Sequence, residues 1–141
     1  MNKNYLKSLI ILIAIIVSIS ACNQSLKTDK DKLISTVESG KIEAYYFHFE
    51  RRCATCNAVE KISNETISGL NDSTITFLSV NLDEEAGEII GKHLGINAQS
   101  LVIIKDSTLI DLTNDAFLLA GNKPEKLKEV ILAEIEKLKN Q

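Results

Sequence analysis

Apolar positions along the chain change period several times, and each change marks an element. From Lys32 to Glu38, Leu33, Ile34 and Val37 form a short stripe at helical spacing, closed by Gly40. Ile42 to Phe49 is rich in aromatic and apolar residues, the composition of a buried strand. After Cys53 the period lengthens, with Val59, Ile62, Thr66, Ile67 and Leu70 recurring at steps of three and four, which predicts a helix. Asn71-Asp72-Ser73 predicts a turn, and Thr74 to Val80 returns to strand composition. Ala86, Ile89, Ile90, His93 and Leu94 then make one face of an amphipathic helix, stopped by Gly95. Leu101 to Ile104 predicts a short apolar strand, Lys105-Asp106-Ser107 a turn, and Thr108 to Leu112 the strand that returns from it. Pro124, the only proline, suits the first turn of a last helix ending near Lys139, with Leu127, Ile131, Ile135 and Leu138 facing inward. Strands separated by helices imply parallel pairings, and the tight turn implies an antiparallel edge. The predicted class is therefore α/β: a mixed sheet of about four strands with helices on both faces.

The first 21 residues read differently. Lys3 and Lys7 form a positive start, and an apolar run from Leu9 to Ile19 follows. That run is too short for a membrane span, which takes roughly 20 residues, and has the form of a secretory signal peptide. Ile19-Ser20-Ala21-Cys22 resembles a bacterial lipobox. The resemblance implies cleavage before Cys22, lipidation of Cys22 and anchoring to a lipid membrane. Residues 22–31 are polar and lysine-bearing and are expected to be a tether, leaving 32–141 as one domain.

Charge excludes one class of partner. Losing Lys3 and Lys7 reduces the 16 basic residues to 14 against 19 acidic ones, a net charge of −5. An acidic chain without a basic patch does not suit nucleic acid.

With Cys22 assigned to lipid, Cys53 and Cys56 remain as a lone C-x-x-C pair in an exported chain, where disulfides persist. A loop this small gains little stability from a crosslink, so the pair calls for a chemical explanation. A strand leading into Cys-x-x-Cys at a helix start resembles thioredoxin, as do Asn81-Leu82-Asp83 after the next strand and Gly95-Ile96 before the apolar strand. The resemblance spans roughly residues 41–139. It implies a thioredoxin-like fold in which Cys53 is the nucleophile, stabilised as thiolate by the helix N-terminus, and Cys56 is the resolving thiol. No cofactor beyond the redox-active pair and no metal site is then expected. Arg51 and Arg52 are expected to add positive potential beside Cys53.

Three departures from the thioredoxin pattern stand out. Arg52 replaces the family's tryptophan before the first cysteine. Phe47 falls where a buried acid is found six residues before the nucleophile, leaving Glu50 as the nearest carboxylate, more simply read as a solvated loop charge. Gln99 or Ser100 occupies the place of a cis-proline, and a non-proline cis bond costs about 2.5–4 kcal/mol, so a trans loop is expected. His48 is read as a packed or edge histidine, His93 as a boundary residue, and Tyr45 and Tyr46 as core residues whose hydroxyls reach the sheet edge.

The stretch Tyr45 to Cys56 also resembles small bacterial thioredoxin-like proteins that work with membrane thiol-electron transporters. That implies a lipid-anchored reductase facing the periplasm or cell exterior, with a membrane electron donor and exported thiol proteins as partners. The alternatives are a disulfide-forming oxidant, a soft-metal lipoprotein holding Cu(I) between two thiolates, and a scaffold with an unreactive pair.

Overall fold

A computed structural model of the protein describes residues 40–141. The expected signal peptide, Cys22, the expected tether and the Lys32–Glu38 stripe lie outside the described residues.

Within them the chain forms β1 (Ile42–His48), α1 (Ala54–Ser68), β2 (Ile75–Asn81), α2 (Glu85–Leu94), β3 (Ser100–Lys105), β4 (Thr108–Asp111), α3 (Thr113–Leu119) and α4 (Pro124–Lys139). The four strands make one mixed sheet in the order β2-β1-β3-β4. This is a thioredoxin-like arrangement. β1 and β2 pair in parallel from Ile42↔Ile75 to His48↔Asn81, as the intervening helix requires. The helix rule does not extend to β3: it lies on the far side of β1 and runs antiparallel to it, from Ile42↔Lys105 to Phe47↔Ser100. The α2 crossover carries the chain past β1 and returns it to the sheet with its direction reversed, so that β1 lies between β2 and β3. β4 completes the antiparallel edge.

Alternation along β1 assigns the two faces. Ile42, Ala44 and Tyr46 point to one side, where they pack with Val59, Ile62 and Ile67 of α1, Ala116 of α3, and Leu127, Ile131, Ile135 and Leu138 of α4. Phe47 points to the other, with Val80, Val102, Ile104 and Ile90 and Leu94 of α2. The larger core therefore lies beneath α1, α3 and α4, and the smaller beneath α2. The four inward positions of α4 are at most 2 % exposed, and full burial of such a side chain is worth about 1.5–3 kcal/mol. Lys105 Nζ donates to the Leu138 carbonyl at 2.6 Å, placing a cation at the C-terminal end of that helix.

Two helices differ from the sequence expectation. In α2 the buried positions are Gly87 and Gly91, with Ile90 and Leu94 beside them, while Ala86 and His93 are exposed. The helix seats on its glycines because the end of β2 at Asn81 approaches Gly87, and the Ile96 carbonyl approaches Gly91, too closely for a side chain. Gly95 ends it in the left-handed conformation, φ 72°. α3 was not foreseen; its two turns are too short for a period to show. It buries Ala116, with Leu112 and Ala120 at four-residue spacing on either side, and the Asp111 carboxylate accepts from the Thr113 N–H at 2.8 Å.

Candidate functional site

The site forms where β1 and β2 end and α1 begins. The His48 carbonyl accepts from the Leu82 N–H at 2.7 Å, and the Asp83 carboxylate accepts from the Glu50 N–H at 2.7 Å. The approach to the cysteines is thereby pinned to the exit of β2. Glu50 itself is exposed, as a solvated loop charge should be.

Cys53 is the N-cap of α1, with extended backbone (φ −86°, ψ 167°), and its sulfur accepts from the Cys56 N–H at 3.1 Å. One backbone donor of the first helical turn is thus aimed at the atom that carries the charge in the thiolate. No acidic residue occupies that turn. Cys53 and Cys56 form a disulfide with Cα atoms 5.1 Å apart, inside the usual 4.4–6.8 Å span. Cys53 is exposed and Cys56 is only 3 % exposed. One sulfur of the bond is open to attack and the other is shielded.

Arg52 is not a free cation. It forms an ion pair with Glu60 of α1, and its Nη2 donates to His48 Nε2 at 3.0 Å. Arginine only donates, so Nε2 must carry a lone pair, and the His48 Nδ1–H is left to donate to the Phe49 carbonyl at 3.0 Å. Buried His48 is thereby held from both ring nitrogens, one accepting from Arg52 and the other facing the Phe49 carbonyl. The other Glu60 oxygen accepts from Ser79 Oγ at 2.5 Å, tying β2 into the same network. The positive potential expected of Arg52 beside Cys53 is shared with a neighbouring carboxylate, which offsets part of its charge. Arg51 is exposed.

The missing buried acid also finds an explanation. Phe47 faces the α2 side, away from the cysteines, and the residues that face α1 are Tyr46 and His48. Tyr46 is fully buried, and its hydroxyl has no hydrogen-bond partner among the described residues, so it does not reach the sheet edge. Burial pushes that phenol up to about 12, against a lowering pull from Arg52 and with a further raising effect from Glu60. The Tyr45 hydroxyl, on the other face, donates to Glu43 at 2.7 Å.

Of the two residues considered for the proline position, one meets the cysteines. Gln99 Oε1 lies 3.6 Å from Cys56 Sγ, whereas the Ser100 hydroxyl donates to the Ala98 carbonyl at 3.0 Å. Every peptide bond among the described residues is trans. Gln99 also borders an open groove with Phe49, Ala98, Thr113, Asn114 and Phe117.

Sequence reading missed Glu60, Ser79 and Asp83 as parts of the site. Glu60 carried a signal, since it stands four residues after Cys56 and so shares its helix face; Asp83 stood in the Asn81-Leu82-Asp83 stretch without a role assigned to it, and Ser79 enters only through the strand register and had none. Among the described residues no cluster of three or more His, Cys, Asp or Glu side chains could hold a metal ion, and no helix is long and apolar enough to cross a membrane. The arrangement, an exposed sulfur bonded to a shielded one at a helix start, is compatible with redox chemistry. No protein-family model and no curated protein matches the chain, so its functional reading rests on this fold and this geometry.

Proposed function

We propose that the protein is a thiol–disulfide oxidoreductase, held to a membrane by lipid on Cys22, that reduces disulfides of exported proteins through Cys53 and Cys56. The observation that carries this reading is the asymmetry of the pair: an exposed N-cap sulfur that receives a helical N–H, joined to a sulfur that is nearly sealed.

In the reduced protein the Cys53 thiolate attacks one sulfur of a substrate disulfide. A new S–S bond forms, the substrate's bond breaks, and its other sulfur leaves as a thiolate that takes a proton from solvent. Cys56 then gives up its proton and attacks Cys53, which closes the intramolecular disulfide and releases the second substrate thiol. The substrate gains two electrons and two protons. An integral membrane thiol-electron transporter restores the dithiol by the reverse exchange.

The ion pair between Arg52 and Glu60 favours the reductant over the disulfide-forming oxidant. An oxidant gains its power from a strongly stabilised thiolate, and Arg52, which directly precedes Cys53, already has a partner. In the test, Cys53→Ser abolishes reduction of a protein disulfide, while Cys56→Ser accumulates mixed disulfides on Cys53. If both variants reduce disulfides at the wild-type rate, the reading is wrong.

A further inference from the structure

Gln99 precedes β3 and is distant in sequence from the cysteine pair, yet its side-chain oxygen is the polar atom brought to the shielded sulfur, at 3.6 Å. A carboxamide oxygen accepts hydrogen bonds and does not donate them. Toward the disulfide it has no bond to make, because that sulfur carries no proton. Toward the Cys56 thiol it offers an acceptor in a place where water is almost excluded, since Cys56 is 3 % exposed. The contact thus discriminates between the two redox states.

We propose that Gln99 is a positioning residue of the redox site: its Oε1 receives the S–H of Cys56 in the reduced protein and selectively stabilises the dithiol. This inference rests on the oxidoreductase reading and adds to it a residue that tunes the equilibrium. The two sulfurs are served by opposite partners. Cys53 faces a donor, the Cys56 N–H, which favours its thiolate; Cys56 faces an acceptor, which favours its neutral thiol.

With glutathione as reductant the exchange balances as follows. A first glutathione thiolate attacks Cys53, the Cys53–Cys56 bond breaks, and Cys56 leaves, takes a proton and turns its S–H to Gln99. A second glutathione thiolate attacks the glutathione sulfur on Cys53, forming glutathione disulfide and freeing Cys53. Two electrons pass from two glutathiones to the protein; of the two protons that the glutathiones gave up, one is taken by Cys56, whose S–H Gln99 then holds, and the other stays in solvent while Cys53 remains a thiolate.

The test measures the equilibrium of the full-length protein with glutathione for the wild type, Gln99→Leu and Gln99→Glu. Gln99→Leu keeps the bulk and removes the acceptor, and the constant for forming the dithiol is expected to fall about fivefold, the order of one lost neutral hydrogen bond. For a two-electron couple at about 30 mV per tenfold, that is a potential roughly 20 mV more reducing. Gln99→Glu keeps an acceptor in place and is expected not to fall. In the infrared difference between reduced and oxidised protein, the S–H stretch of Cys56 is expected to move in Gln99→Leu to the higher wavenumber of an unbonded thiol. Equal constants for all three proteins, or an S–H band unmoved in Gln99→Leu, overturn the proposal. Absence of any exchange in the wild type would instead overturn the oxidoreductase reading, so the two failures are distinguishable.

Discussion

Replacing Gly87 by alanine tests how α2 is held against the sheet. Gly87 is buried, and a Cβ there would stand 2.6 Å from the Asn81 carbonyl carbon and nearer still to its oxygen, with Val80 Cγ1 at 3.2 Å. Non-bonded carbons prefer separations of about 3.5–4.0 Å, so the helix and the strand end must part by roughly 1 Å. Both clashing atoms at Asn81 are backbone and cannot rotate aside. Overpacking of this kind costs about 1–3 kcal/mol, while alanine gains up to ~1 kcal/mol over glycine inside a helix. A net loss of about 0–2 kcal/mol is expected from these two terms. Two other glycines provide an internal scale. At Gly91 the Cβ would meet the Ile96 carbonyl oxygen at 2.6 Å and a movable Leu82 methyl at 2.8 Å, and at Gly121 it would meet nothing within 4 Å. Equilibrium urea unfolding of the oxidised protein, followed by circular dichroism, should rank stability as Gly121→Ala, then Gly91→Ala, then Gly87→Ala. Stability of Gly87→Ala at or above that of Gly121→Ala would refute the packing argument. The strand end matters beyond stability, because Leu82 and Asp83 just after it anchor the carbonyl of His48 and the N–H of Glu50.

Two further predictions concern the groups beneath α1. Tyr46→Phe removes a buried hydroxyl without a partner, so stability at neutral pH should hold or rise by up to ~1 kcal/mol; a loss larger than that would reveal a partner for the hydroxyl. The folded phenol is raised from the usual 10 to about 12, so its contribution is whole below pH 10 and is lost as pH rises through about 12, and Tyr46→Phe should flatten that alkaline decline in urea titrations. Glu60→Gln removes the countercharge of Arg52 and leaves its field to act on Cys53. Alkylation of reduced Cys53 in mildly acidic buffer should then quicken about threefold, on the order of 0.6 kcal/mol of charge interaction; an unchanged rate would mean that Arg52 does not reach the sulfur electrostatically.

Much of the fold was legible because its signals are local. The Leu127, Ile131, Ile135 and Leu138 spacing reports one helix face whatever that face packs against, and the described strands fall within a residue or two of their apolar runs. The cysteine pair was legible for the same reason, since a strand, a short loop and a helix start are contiguous in the chain. Elements were missed where the local signal was weak: α3 has only two turns, and the seating of α2 depends on residues with no side chain to register in a hydropathy pattern.

What the sequence determined by itself was the order of the four strands and of the three longer helices among the described residues, the inward face of α4, and the position of a cysteine pair at the head of a helix. Tertiary structure decided the rest. It set β3 beside β1 in the opposite direction, turned Phe47 away from the cysteines, gave Arg52 a carboxylate partner, and chose Gln99 over Ser100 to face Cys56. Short-range periodicity fixes which way a side chain points from its own element. Which groups then meet depends on how strands from distant parts of the chain pair and in what register, and that is set by the burial of the whole core.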